Sequence, residues 1–205
     1  MKDYTLSEFH QNNNRVSNLV AVYEASQSTR RQGRRDAKSA DPLRAAVVFL
    51  HSALEEVFRN LFLWKLPSGS RESLNLVPLV GMPANQRAKS FLLGDLLPYE
   101  GQFVHNIIRD SIDAYVDQMN LNGIQDVCSN LRMVGIESAQ FDHFYPKLAK
   151  CMARRHQIVH QMDRNHAVGT GNARVQSISV NQVRDWQENT KRFVQEVVEV
   201  ADNGT

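Results

Sequence analysis

The string Arg154-Arg155-His156-Gln157-Ile158-Val159-His160, with Asp163 and His166 close behind, gathers guanidiniums and imidazoles into one short stretch. Histidine titrates near neutrality and is the usual general base or acid. The planar arginine fork matches phosphate oxygens. Arginine with histidine, and neither a second carboxylate pair nor a metal cage, suits cleavage of a phosphodiester by an internal nucleophile. RNA supplies that nucleophile as its 2′-hydroxyl: a base takes the proton and a cation stabilises the crowded phosphate. His160 stands three residues before Asp163, near enough on a helix to be oriented by it. His156 and His160 also form a His-x3-His pair that can bind zinc, with Asp163 or His166 as a third ligand. No Glu follows His156, so the zinc-protease pattern is missing, and no metal or other cofactor is expected.

A helix is expected to carry these residues from near Ser138 to about Met162. At 100° per residue, Phe144, Leu148, Cys151, Met152, Ile158, Val159 and Met162 fall on one face. Leu148, Arg155 and Met162 follow one another in steps of seven, which puts Arg155 in the middle of the apolar stripe and Arg154 to its side, within reach of solvent. A buried arginine is costly unless it is paired or lines a cavity. Two readings follow: a structural ion pair with a carboxylate of a neighbouring helix, or an anion site facing a cleft. Arg155 and His160 are about 140° apart on an ideal helix, so one phosphate meets both only if the helix bends or ends near His160, or if a second copy supplies the other group.

The remaining elements read as helices. A first helix runs from about Thr5, with Leu19, Val20, Val22 and Tyr23 at helical spacing, into the cluster Arg30, Arg31, Arg34 and Arg35. That cluster is either a solvated loop or a guide for an RNA backbone. Asp41-Pro42 marks an N-cap and a proline at the first helical position, and Val47, Leu50, Leu54, Val57, Phe58 and Leu61 make the stripe of the helix that follows. Residues 67–101, rich in Pro and Gly, read as a long irregular excursion with one helical turn near Phe91–Leu97. Further helices are expected over about Gln102–Met119, Ile124–Met133 and Gln182–Ala201, the last capped by Asn181, after a loop over 166–180. Residues 175–180 alternate weakly but have no second strand to pair with. The expected class is all-α: a single domain over 1–205, a five- to six-helix up-and-down bundle with a long irregular insertion.

Composition agrees with a globular chain. The 205 residues are 42% hydrophobic and 22% charged, and Lys+Arg of 24 against Asp+Glu of 22 leaves a net charge of +2, too mild to mark a nucleic-acid binder by bulk charge. No apolar stretch is long enough for a membrane span, and the N-terminus has no apolar core of a secretory signal. Cys128 and Cys151 make neither a disulfide framework nor a four-ligand metal site. The cytoplasm is the expected compartment. Phosphate-binding loops, dinucleotide glycine fingerprints and Gly-x-Ser-x-Gly elbows do not occur.

The string from Arg154 to His160, followed by Met162-Asp163, resembles the Arg-x4-6-His signature of the HEPN superfamily, with Arg155-x4-His160 as the spacing and His156 as the polar residue after the arginine. It looks most like the RiboL-PSP-type branch. Leu50-His51-Ser52-Ala53-Leu54-Glu55-Glu56 and Leu93-Gly94-Asp95-Leu96-Leu97 agree with it, and the resemblance covers about residues 40–200. It implies a helical bundle that dimerises around two copies of the motif, and a metal-independent endoribonuclease of toxin–antitoxin, abortive-infection or other antiphage systems, leaving 2′,3′-cyclic phosphate ends. His160 would be the base or acid, Arg155 would bind and stabilise the phosphate, and His156 would support them. Arg154 would add to substrate binding. An acid of the second helix often joins such sites; Glu55 borders that helix's apolar stripe while Glu56 points further out, which favours Glu55. An antitoxin or defence-system protein is an expected partner. Met162 stands where nucleotidyltransferase-controlled toxins carry a tyrosine, so control by that route is not implied. Some members are catalytically silent, and the alternative is a non-catalytic module that binds nucleotide or a partner protein.

Overall fold

The apolar stripe of the second predicted helix is the spine of the molecule. A computed structural model of the chain describes residues 1–28, 37–81, 93–163 and 175–204. In it α1 spans Lys2–Ser28, α2 Asp41–Lys65, α3 Arg71–Leu74, α4 Val104–Asp117, α5 Ile124–Met133, α6 Tyr145–Gln161 and α7 Val180–Asn203. Val47, Leu50, Leu54, Val57, Phe58 and Leu61 of α2 are all buried, and α2 packs against α1, α4, α6 and α7. The class is all-α: the described residues hold these helices, four short 3-10 segments and no strand. No helix among them is long and apolar enough to cross a membrane.

Two apolar clusters share α2. The larger centres on Phe193 of α7, whose ring packs near those of Phe58, Phe141, Phe144 and Tyr145. Aromatic rings meeting edge-on or offset add to the area they remove from water. The second joins Val16, Val20 and Tyr23 of α1 to Leu43, Val47 and Leu50 of α2, Cys151 of α6, and Val183 and Trp186 of α7. Trp186 is therefore a packing residue, and Trp64 is half-buried against the larger cluster.

Several element boundaries differ from the expectations. Asp41 is the first residue of α2 rather than its cap; Ala40 caps the helix without a side-chain bond, and Asp41 instead accepts from Arg44 Nη1 at 3.1 Å. The long expected helix from Ser138 is broken. Ser138–Phe141 is a 3-10 turn and α6 starts at Tyr145, with Pro146 in its first turn where a missing N–H costs nothing. Ser179, not Asn181, caps α7, its Oγ accepting from the Gln182 N–H at 3.2 Å. The excursion after α2 holds 3-10 turns at Leu66–Ser68 and Leu93–Tyr99 as well as α3, while the expected turn's first residues, Phe91 and Leu92, lie outside the described residues. Val104, the first residue of α4, is 70% exposed, while Ile112 and Val116 of the same helix are buried.

Candidate functional site

The two neighbouring arginines of α6 exchange the surroundings expected of them. Arg154 is the buried one, 4% exposed, and Arg155 is half-buried. Val159 and Met162, expected on the apolar face, are 45% and 74% exposed. Met162 stands beyond the last residue of α6 in a left-handed conformation, so the 148–155–162 spacing no longer describes one helical ridge there. The flank carrying Arg154 is covered instead, by Arg44 of α2 and by the returning chain at residues 176–177.

Arg154 belongs to a buried ionic cluster. Its Nη2 donates to Asp163 Oδ2 at 2.9 Å, to the Gln176 carbonyl at 2.9 Å and to the Ser177 carbonyl at 3.3 Å. Arg44 of α2 donates from Nε to the same Asp163 Oδ2 at 2.6 Å and from Nη2 to the Gln176 carbonyl at 3.2 Å. A structural ion pair thus exists, but it engages Arg154 and not Arg155, and its carboxylate comes from the turn that follows α6 rather than from a neighbouring helix. It also leaves Arg154 only 4% exposed, where the spacing places it within reach of solvent. On a continuous helix Asp163 would lie about 13.5 Å further along the axis than Arg154. The pair forms only because Met162 (φ 51°) and Asp163 (φ 56°) adopt left-handed conformations and fold the carboxylate back under the helix. Burial, reinforced by the Arg44 charge, pulls the Arg154 guanidinium below its ordinary pKa, with Asp163 opposing. Burial likewise pushes the Cys151 thiol up to about 12, which makes it an inert core residue.

Arg155 has different company. Among the described residues no carboxylate lies within ion-pairing distance of it, and its Nε is buried without a hydrogen-bond partner. Its charge is felt by Glu55 of α2, which is 8% exposed. Burial alone would raise the Glu55 pKa; the neighbouring His51, the Leu121 N–H and the Arg155 charge together outweigh it and hold the carboxyl below its ordinary value. The Leu121 N–H donates to Glu55 Oε1 at 3.2 Å, and His51 Nε2 lies 3.2 Å from the same oxygen, close enough to pair but off the line of a hydrogen bond. Glu56 faces outward and pairs with Arg59 at 3.4 Å. His51 is not among the residues to which the sequence assigns a role; its position four residues before Glu55, on a buried stripe, is the signal that identifies it as a member of this group.

His156 and His160 are both exposed and lie one helical turn apart, with ring centroids 4.7 Å apart and planes tilted by 44°. Asp163 does not orient His160, because its carboxylate is turned inward to the two arginines. Among the described residues no third ligand joins the histidine pair to make a metal-holding group. His166 and the cluster Arg30, Arg31, Arg34 and Arg35 lie outside the described residues. The subunit therefore brings His51 to Glu55 and His156 to His160, with the Arg155 charge felt by Glu55 from beyond ion-pairing distance. No hydrogen bond joins Arg155 to His160. This arrangement offers an anion a partly desolvated guanidinium without a carboxylate at ion-pairing distance among the described residues, with two exposed imidazoles on the same helix. Compared with protein-family models, with curated proteins and with solved structures, the chain matches none.

Proposed function

We propose that the chain is a metal-independent endoribonuclease of the HEPN type, acting in the cytoplasm as a homodimer and serving as a toxin or antiphage effector under the control of a partner protein. The observation that carries this reading is Arg155: a half-buried guanidinium with no carboxylate within ion-pairing distance among the described residues, set on the same helix as the exposed His156–His160 pair. A cation kept without a carboxylate at close range is costly to the fold and useful to an incoming phosphate.

In the proposed reaction His160 takes the proton of the RNA 2′-hydroxyl. The 2′-oxygen bonds to phosphorus and the bond from phosphorus to the 5′-oxygen breaks. Arg155 stabilises the charge on the crowded phosphate. A second imidazole, from His156 or from the other copy of the motif, gives its proton to the leaving 5′-oxygen. The products are a 2′,3′-cyclic phosphate and a 5′-hydroxyl. Glu55, held by His51 and the Leu121 N–H, acts on Arg155 as a countercharge beyond ion-pairing distance. Because Arg155 and His160 are not joined within one subunit, both reach one linkage most directly when two copies face each other across a two-fold axis.

The test is cleavage of total and synthetic RNA by the purified protein in excess chelator, with end-group analysis of the products. His160→Ala and Arg155→Ala should each lower the rate by a factor of about 100 or more while circular dichroism and dimer mass are unchanged. Wild-type protein that binds nucleotide yet cuts no RNA would replace this reading with the non-catalytic binding module.

A further inference from the structure

The buried cluster at the end of α6 lies outside the proposed reaction, yet it encloses the turn that carries His160. We propose that Arg44, Arg154 and Asp163 are positioning residues: a buried clasp that fixes the last turn of α6 and thereby the direction of the His160 imidazole. The role assigned to His160 rests on the ribonuclease reading; the clasp itself rests on geometry.

Three observations carry it. First, the helix stops in a closed hydrogen-bonded turn. The Gln157 carbonyl accepts from the N–H groups of both Met162 and Asp163, the latter at 3.0 Å, so His160 sits inside a loop tied at both ends. Second, Met162 and Asp163 hold positive φ values of 51° and 56°. Two consecutive left-handed residues that are not glycine persist only where the surroundings over-determine them. Third, the surroundings do so through charge. Asp163, 3% exposed, is held by guanidiniums from two helices, and its carbonyl accepts from the Gln176 N–H at 2.9 Å. Arg154 Nη1 also reaches the Gln157 side chain at 3.5 Å. One carboxylate thus locks α2, α6 and the returning chain around the turn. Among the described residues the exposed His160 imidazole meets the His156 ring but has no hydrogen-bond or ion-pair partner to aim it, and the backbone beneath it supplies the aim instead.

Asp163→Asn would leave two buried guanidiniums facing each other and invites unfolding. Arg44→Lys and Arg154→Lys keep the charge and lose the fork, because one ammonium cannot span three acceptors in the same geometry. Each should lower kcat by about a hundredfold per folded molecule, with KM within about twofold, since the phosphate-binding Arg155 is untouched. A role confined to stability would reduce the folded fraction and leave kcat per folded molecule as it was. A second readout needs no activity. In histidine-selective NMR the His160 ring signals should shift or broaden in both variants, while those of exposed His143, beyond the other end of α6, stay in place. Unmoved His160 signals in both variants would overturn the clasp. Wild-type protein that cuts no RNA would overturn the ribonuclease reading alone, and the ring signals would still decide the clasp.

Discussion

At the scale of single residues, the charges around α6 owe their roles to their partners. Arg154 and Arg155 are adjacent and chemically identical, yet one is held by Asp163 and two backbone carbonyls while the other has no carboxylate at ion-pairing distance among the described residues. Truncating one member of a buried ion pair costs about 3–5 kcal/mol, because the other charge stays buried and unpaired. Arg155 faces no such penalty. Glu55 gives a prediction in pH. Its folded-state pKa is lowered, so its contribution to stability is present above about pH 4.5, the ordinary glutamate value, and is lost as pH falls through the lower folded value. Glu55→Gln should therefore cost about 1–3 kcal/mol at pH 7, and the gap to wild type should close in acid. Urea unfolding at pH 7 and near pH 3 measures both gaps; equal gaps would mean that Glu55 is not held as a charged group. His51, Arg155 and the Leu121 N–H are the groups that face it.

At the scale of elements, helix ends decide more than helix interiors. α5 matches the expected Ile124–Met133 span, and Gly135 closes it at φ +78°, a conformation that favours glycine over any side chain. α7 begins at Ser179, whose hydroxyl satisfies one of the first orphan N–H groups. Ser179→Ala should lower stability by about 1 kcal/mol, read as a drop in the denaturation midpoint with unchanged cooperativity. Asn181→Ala, at the cap expected from the sequence, should leave the midpoint within about 0.5 kcal/mol. α6 is where reading by wheel is least accurate. A wheel assumes one uninterrupted helix and one covered face; Pro146 delays the start, the left-handed pair at Met162 and Asp163 ends it, and α2, α5 and α7 all pack against it.

At the scale of the whole molecule, α2 organises the packing: its first half, from Leu43 to Leu50, joins the Trp186 cluster, and its second half, from Ala53 to Phe62, joins the Phe193 cluster. One subunit presents Arg155 and the two histidines on adjoining faces without linking them, so the proposed chemistry predicts a dimer. Sedimentation velocity at micromolar concentration should give twice the 23.3 kDa of the chain, and mixing His160→Ala with Arg155→Ala protein should restore part of the lost cleavage. A monomer with full cleavage activity would remove the two-fold arrangement from the mechanism.

The all-α class, the stripe of α2, the span of α5 and the inert Cys151 were legible in the residues, because each follows from apolar spacing or from a local stop signal. The grouping of candidate chemistry on one helix was legible for the same reason. Which arginine lies buried, which acid it meets, and that His51 stands beside Glu55 were decided by the tertiary structure. Those facts depend on a chain reversal at two left-handed residues and on segments 119 and 66 positions apart in sequence, Arg44 to Asp163 and Glu55 to Leu121. Periodicity describes one face of one helix; it carries no information about which distant carboxylate or carbonyl will arrive to cover that face.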